Sequence, residues 1–145
     1  MKANFQQIIN SLPYTRPFKF VDKLLAISEN GVEGQYTFTL DEYFYEGHFI
    51  NNPVTPGVIL TECMAQIGVA CLGIFLLSET ATEKIDIAMS STSIDFLKPV
   101  YPGDRVTVIS EKEYFRFNKL KCKVKMLNEE GEVVCKGLIS GMLVS

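Results

Sequence analysis

His48 is the only histidine in the 145 residues, and it stands in Glu46-Gly47-His48-Phe49. Fourteen positions later comes Glu62, the only charged residue in the long apolar run from Gly57 to Leu77. An imidazole titrates near neutrality and can accept a proton. A carboxyl in apolar surroundings holds its proton and can donate it. Together they make a general base and a general acid, the equipment for proton-transfer chemistry. Each also has a plainer reading. His48 could be a structural histidine, and Glu62 a helix-start carboxylate favoured by the dipole. Gln66 lies four residues on, on the same helix face, and either hydrogen-bonds Glu62 or satisfies a loop carbonyl.

Pro56-Gly57 opens the run. Proline suits the first turn of a helix because it lacks an N–H that would go unsatisfied there. Gly57 exposes its own N–H at the positive end of the helix, where a carbonyl gaining negative charge would be stabilised. The pair also reads simply as a cap or turn. The loop before it, Asp41 to Pro56, carries Phe44, Tyr45, Phe49 and Ile50, which either line an apolar channel or pack on the helix.

Gly57 to Leu77 is long enough to span a membrane. Glu62 and Gln66 would be costly in lipid, and no basic residue flanks either end. A helix that is apolar all round is otherwise a buried one, so a central core helix is predicted. Around it the chain reads as strands: Phe18 to Ser28, Val32 to Thr39, Ile85 to Phe96, Arg105 to Phe115, Leu120 to Leu127 and Val133 to Val144. Val32, Gly34, Tyr36 and Phe38 alternate onto one face. Glu29-Asn30-Gly31, Pro102-Gly103-Asp104, Asn118 and Asn128-Glu129-Glu130-Gly131 punctuate the strands. A short helix is predicted over Asn4 to Ser11, ended by Pro13 and Pro17. The pattern is α+β, a curved antiparallel sheet wrapped around one long central helix in a single domain, 1–145.

With 47% hydrophobic and 21% charged residues the composition is that of a globular protein. A net charge of −3 gives no electrostatic reason to expect nucleic acid or an anionic membrane as partner. Cys63, Cys71, Cys122 and Cys135 form no CxxC or Cys/His cluster, so no metal site is expected. They read as buried thiols of a reducing compartment. The N-terminal residues have no apolar core of signal-peptide length, and a cytoplasmic protein is expected.

Several of these residues fall into one longer pattern. Gly47-His48-Phe49, Asn52-Pro53-Val54, Pro56-Gly57-Val58, Glu62 and Met64-Ala65-Gln66 resemble the central signature of the bacterial β-hydroxyacyl-acyl carrier protein dehydratases. These are hotdog-fold enzymes of the type II fatty acid pathway, and the likeness is to the branch whose acid is Glu. It extends to Leu12-Pro13, Pro17-Phe18 and Val21-Asp22-Lys23, and later to Phe96, Lys98-Pro99-Val100 and Pro102-Gly103-Asp104. The resemblance implies dehydration of a (3R)-3-hydroxyacyl thioester with no metal or redox cofactor. His48 would remove the C2 proton and Glu62 would protonate the departing C3 hydroxyl. The Gly57 N–H would hold the thioester carbonyl, the Val54 carbonyl would orient the imidazole, and Gln66 would support Glu62. Phe44, Phe49, Val58 and Met64 would line an acyl tunnel, and Lys98 would help dock an acyl carrier protein. His and Glu would come from opposite subunits of a homodimer, alone or in a trimer of dimers.

Departures from the family pattern bear on the pathway. Tyr14 stands where the family has His after Leu-Pro. Asp95 and Leu97 replace basic residues on either side of Phe96, and Thr55 replaces a bulkier apolar residue. Loss of positive charge near the entrance predicts a different carrier or weaker docking. It fits a dedicated polyketide or aryl-polyene route rather than housekeeping fatty acid synthesis. Two rival functions are an acyl thioesterase of the same fold, which has no need of the Gly-His-Phe loop, and a non-catalytic acyl-carrier-binding subunit. Release of free acid would identify the first, and binding without turnover the second.

Overall fold

The computed structural model describes residues 4–77 and 85–144. The segment joining the central helix to the next strand lies outside the described residues. Helix α1 covers Phe5–Asn10, and the Asn4 side chain caps it by accepting from the Gln7 N–H. Strands β1 (Lys23–Ser28) and β2 (Gly31–Thr37) form a hairpin. A one-turn 3-10 helix at Tyr43–Glu46 lies in the loop leading to the central helix α2, Gly57–Leu77. Strands β3 (Asp86–Phe96), β4 (Arg105–Arg116), β5 (Lys119–Leu127) and β6 (Val133–Val144) follow.

The six strands pair antiparallel in the order β1-β2-β4-β5-β6-β3. Strong alternation sets which face turns inward. Val106, Val108 and Ser110 on β4, and Leu120, Cys122, Val124 and Met126 on β5, are buried against α2, while their neighbours face out. The predicted face of Val32, Gly34 and Tyr36 on β2, continued by Phe38 just past its end, is the buried one. Bulges in β1, β3, β4 and β5 or their partners help curl the sheet around the helix.

Helix α2 passes every test of length and apolarity for a membrane span, yet 83% of its most apolar window is buried inside the fold. Its Ile67 and Leu72 are wholly enclosed, each contributing about 1.5–3 kcal/mol by leaving water. Gln66–Cys71, mid-helix, is wound as a π-turn. There the Gly68 carbonyl accepts from the Ser110 hydroxyl at 2.9 Å, so the widened turn is pinned to the sheet. A Cβ on Gly68 would sit 3.0 Å from that serine's own Cβ, so the glycine lets the turn lie close against the sheet.

One predicted element is shorter than expected. The first strand begins at Lys23, not Phe18. Before it, the Phe18 carbonyl and the Phe20 N–H are bonded to the side-chain amide of Gln66 instead of to a neighbouring strand. A glutamine on the helix does for this segment what a ladder would have done.

Candidate active site

The His48 loop is shaped by its own backbone. The His48 N–H donates to the Phe44 carbonyl at 3.1 Å, and the Val54 N–H donates to the His48 carbonyl at 2.9 Å. Asn51, with a φ of 55°, makes the tight return between them. The imidazole Nδ1 lies 2.9 Å from the Val54 carbonyl oxygen. A carbonyl can only accept, so Nδ1 carries the hydrogen and Nε2 is left as the free acceptor. The Phe49 ring stacks on the imidazole with centroids 3.7 Å apart.

Helix α2 begins just after this loop. Pro56 precedes its first residue, and the Pro56 carbonyl accepts from Ile59 and Leu60. The Gly57 N–H has no acceptor among the described residues, as the first N–H of a helix lacks one within it. The Phe96 ring covers Gly57 so closely that a Cβ there would come within 3.2 Å of it. Beside it opens a cleft of about 400 Å³ lined by Thr55, Gly57, Leu60, Phe96, Leu97 and Lys98, among others.

Glu62 belongs to a different space. It lines a cavity of about 210 Å³ with Tyr14, Phe18, Val69, Met89 and Ile139, among others. Its Oε2 accepts from the Gln66 Nε2 at 3.0 Å. Burial pushes the Glu62 carboxyl above the usual carboxylate range, while the Gln66 hydrogen bond pulls the other way. Such a carboxyl is suited to hold a proton and release it to a leaving group. The same Gln66 amide serves Phe18 and Phe20, so both alternatives for this residue hold at once.

The expected contacts from Val54 to His48 and from Gln66 to Glu62 are therefore present. The expectation was that His48 and Glu62 meet across two subunits, and His48 does not line the Glu62 cavity of its own chain. Nor do Phe44, Phe49, Val58 or Met64 line it. Met64 is fully buried in the core, with its sulfur 3.8 Å from that of Cys135. Phe44 packs edge-on in the cluster of Phe20 and Phe38 and anchors the loop to the sheet. Phe49 and Val58 face solvent, 52% and 76% exposed. Lys98 is exposed and ion-paired with Glu132 at 2.8 Å. Thr55 is buried and bonded to the Tyr45 hydroxyl.

Sequence reasoning passed over Ile87 and Met89 on β3 and left Tyr14 only as a departure, yet all three wall the Glu62 cavity. Burial and then the Glu62 charge push the Tyr14 phenol up to about 12. The alternation of β3 was the signal available for Ile87 and Met89.

Comparison with known proteins now discriminates between the chemistries. A FabA-like domain is matched over residues 12–139. This chain belongs to the FabA-like family. It is 33% identical over 135 residues to the 3-hydroxyacyl-acyl-carrier-protein dehydratase FabZ of Caldicellulosiruptor bescii, covering 92% of this chain and 94% of that protein. The fold is similar to a dehydratase heterocomplex, ApeI:P, from Xenorhabdus doucetiae, with a TM-score of 0.81, 14% identity and coverage of 99% and 93%. It is also similar to a thioesterase from Pseudomonas aeruginosa, with a TM-score of 0.69, 9% identity and coverage of 99% and 96%. At such identities the two structures share the hotdog fold alone, so the sequence relatives carry the family's chemistry.

Proposed function

We propose that this chain dehydrates (3R)-3-hydroxyacyl thioesters, carried on an acyl carrier protein, to trans-2-enoyl thioesters in fatty acid or related polyketide biosynthesis. The observation that carries this reading is the wiring of the two functional groups. Val54 fixes the imidazole so that Nε2 is the acceptor, and burial raises the proton affinity of a Glu62 held by Gln66. Family membership selects elimination over hydrolysis.

In the proposed reaction Nε2 of His48 takes the C2 proton of the substrate. The Gly57 N–H donates to the thioester carbonyl as negative charge builds there. Glu62 gives its proton to the C3 hydroxyl, which leaves as water while the C2–C3 double bond forms. The two protons and the hydroxyl balance, and no electrons are exchanged, so no redox cofactor is called for.

The separation of His48 from the Glu62 cavity supports a site shared by two copies. Strand β3 is an eleven-residue sheet edge, exposed along most of its length. Pairing it with the same strand of a second copy would continue the sheet, and exposed Phe49, Ile50 and Val58 give the His48 side an apolar surface to cover. The reading is a homodimer, alone or within a trimer of dimers, in a cytoplasmic setting that suits four free buried thiols.

The test is mass spectrometry of a (3R)-3-hydroxyacyl-carrier substrate incubated with wild type and with His48→Ala. Loss of one water with wild type alone is the expected result. Release of free acid would move the assignment to a thioesterase, and an unchanged substrate across chain lengths would move it to a binding subunit.

A further inference from the structure

The loop between β2 and α2 carries His48 at its tip, and one buried hydrogen bond joins its two arms at the base. The hydroxyl oxygens of Tyr45 and Thr55 lie 2.6 Å apart. Both residues are buried, 8% and 4% exposed. Among the described residues this is the one side-chain to side-chain bond between the outgoing arm, 43–47, and the returning arm, 52–56.

Each end of that bond is itself held. Tyr45 sits in the one-turn helix Tyr43–Glu46. Just before that turn, the Glu42 carboxyl group accepts from the Tyr36 hydroxyl and from the Thr39 N–H, which ties the outgoing arm to β2. On the returning arm the Thr55 N–H donates to the Val100 carbonyl at 2.8 Å. Burial pushes the Tyr45 phenol up to about 12, so it keeps a hydrogen to give.

The groups that the dehydration needs hang on these two arms. His48 lies three residues beyond Tyr45, and its N–H bonds the Phe44 carbonyl inside the same turn. Val54, whose carbonyl is 2.9 Å from the imidazole Nδ1, is the residue before Thr55. Gly57, whose N–H has no acceptor among the described residues, is two residues after it. The main-chain bond from Val54 to the His48 carbonyl closes the tip of the loop. The Tyr45–Thr55 bond closes its base, and so sets the span between the imidazole's arm and the arm that bears its acceptor and the Gly57 N–H.

Filling space does not require this pair. Phenylalanine and valine would occupy the same volume with no polar atom to desolvate. A hydrogen bond, unlike an apolar contact, prefers one distance and direction. Thr55 is also one of this chain's departures from the family pattern, so the bond belongs to its own version of the loop.

We propose that Tyr45 and Thr55 are a positioning pair, whose bond holds the imidazole against the Val54 carbonyl and at a fixed distance from the Gly57 N–H. Each hydroxyl acts through the main chain beside it, not on the substrate. The inference rests on the dehydratase reading for what the imidazole does, but the geometry it concerns is readable without turnover.

The experiment compares wild type with Tyr45→Phe, Thr55→Val and the double variant carrying both, with Thr55→Ser as the conservative control. Each single change strands one buried hydroxyl, whereas the double change removes both and leaves none unpaired. Tm therefore falls in the single variants and returns close to wild type in the double. On a 3-hydroxyacyl-carrier substrate kcat falls about tenfold in all three, with KM within about twofold, and stays down in the double variant although its Tm has returned. Thr55→Ser keeps the wild-type rate. The single histidine supplies a second readout, because isotope-labelled histidine gives one imidazole whose nitrogen signals report where the hydrogen sits. Wild type shows the Nδ1–H form, and the double variant shows the Nε2–H form beside it.

Recovery of kcat together with Tm in the double variant would reduce the pair to a stabilising contact and overturn the proposal. So would a rise in KM at constant kcat, or a wild-type imidazole signal in the double variant whatever the rates do. If wild type dehydrates no 3-hydroxyacyl substrate, the activity assignment fails and the pair is judged by the imidazole signal alone. The second form in the double variant then upholds the proposal, and its absence overturns it. A double variant that does not fold transfers those two outcomes to Tyr45→Phe.

Discussion

The Glu62 turn of the central helix and the His48 loop hold their functional groups in opposite ways. Around Glu62 the helix is nearly solid, with Leu60, Cys63, Ala65 and Gln66 all buried, and one glutamine amide ties the carboxyl to the Phe18–Phe20 segment. Around His48 there are a few main-chain bonds and one carbonyl at Nδ1, with Phe49 and Ile50 turned to solvent, 52% and 85% exposed. A buried group takes its proton affinity from its surroundings. A loop group gains only orientation from its own chain, and its surroundings come from whatever packs onto it. The two regions differ as a finished half-site differs from an open one.

The largest way to break this comparison is to remove each group in turn. His48→Ala lowers kcat by about 10²–10⁴-fold, the usual worth of a positioned base, and changes Tm little because the one ring stacked on the imidazole, Phe49, is itself half exposed. Glu62→Gln gives a loss on the same scale with near-identical shape. Mixing the two variants under conditions that exchange subunits then restores about a quarter of wild-type activity, because half the random dimers carry one intact site of two. Recovery of no activity after verified exchange would place both groups of each site within one chain.

The same contrast governs what could be read from residues alone. The central helix was legible as one long apolar run broken only by Glu62 and a few polar side chains, and the last four strands by their extended patterns between turn residues; Val133–Val144 has the predicted bounds. The pairing of Gln66 with Glu62 was legible from spacing as one of two alternatives, and that of Val54 with His48 only through the family resemblance. The tunnel residues were not. Met64 and Glu62 are two positions apart on a helix, and that angular difference sends Met64 into the core beside Cys135 while Glu62 faces the cavity. The first strand was overextended because an alternating stretch such as Phe18-Lys19-Phe20 reads alike whether its backbone bonds a strand or, as here, a glutamine side chain.

Gln66→Leu sharpens the comparison at intermediate scale. Leucine keeps the volume but leaves the buried Phe20 N–H without its 2.7 Å partner. An unsatisfied buried donor costs about 1–3 kcal/mol, so chemical denaturation shows a lower midpoint with an unchanged slope. Activity falls too, because Glu62 loses the bond that holds it. Val54 offers no equivalent side-chain target on the other half-site, where its carbonyl does the work. A Gln66→Leu variant of full stability would mean that water replaces the amide and that the Glu62 region is less enclosed than its packing indicates.

The smallest effect is a pH dependence of stability that Glu62 alone introduces. Its carboxyl binds a proton more tightly in the folded chain than in the unfolded one, because burial outweighs the Gln66 bond. Between the ordinary carboxylate value, about 4.3, and the raised folded value, the folded state therefore holds more protons, and stability falls as pH rises through that window. Below the window the contribution is fully present, and above it the contribution is gone. Glu62→Gln carries no such titration. Its Tm relative to wild type should thus be higher at about pH 8 than at about pH 4, where wild type holds its own proton. A difference in Tm that is the same at both pH values would mean that Glu62 ionises as freely in the fold as in water. The buried half-site would then have no more hold on its proton than an exposed carboxylate.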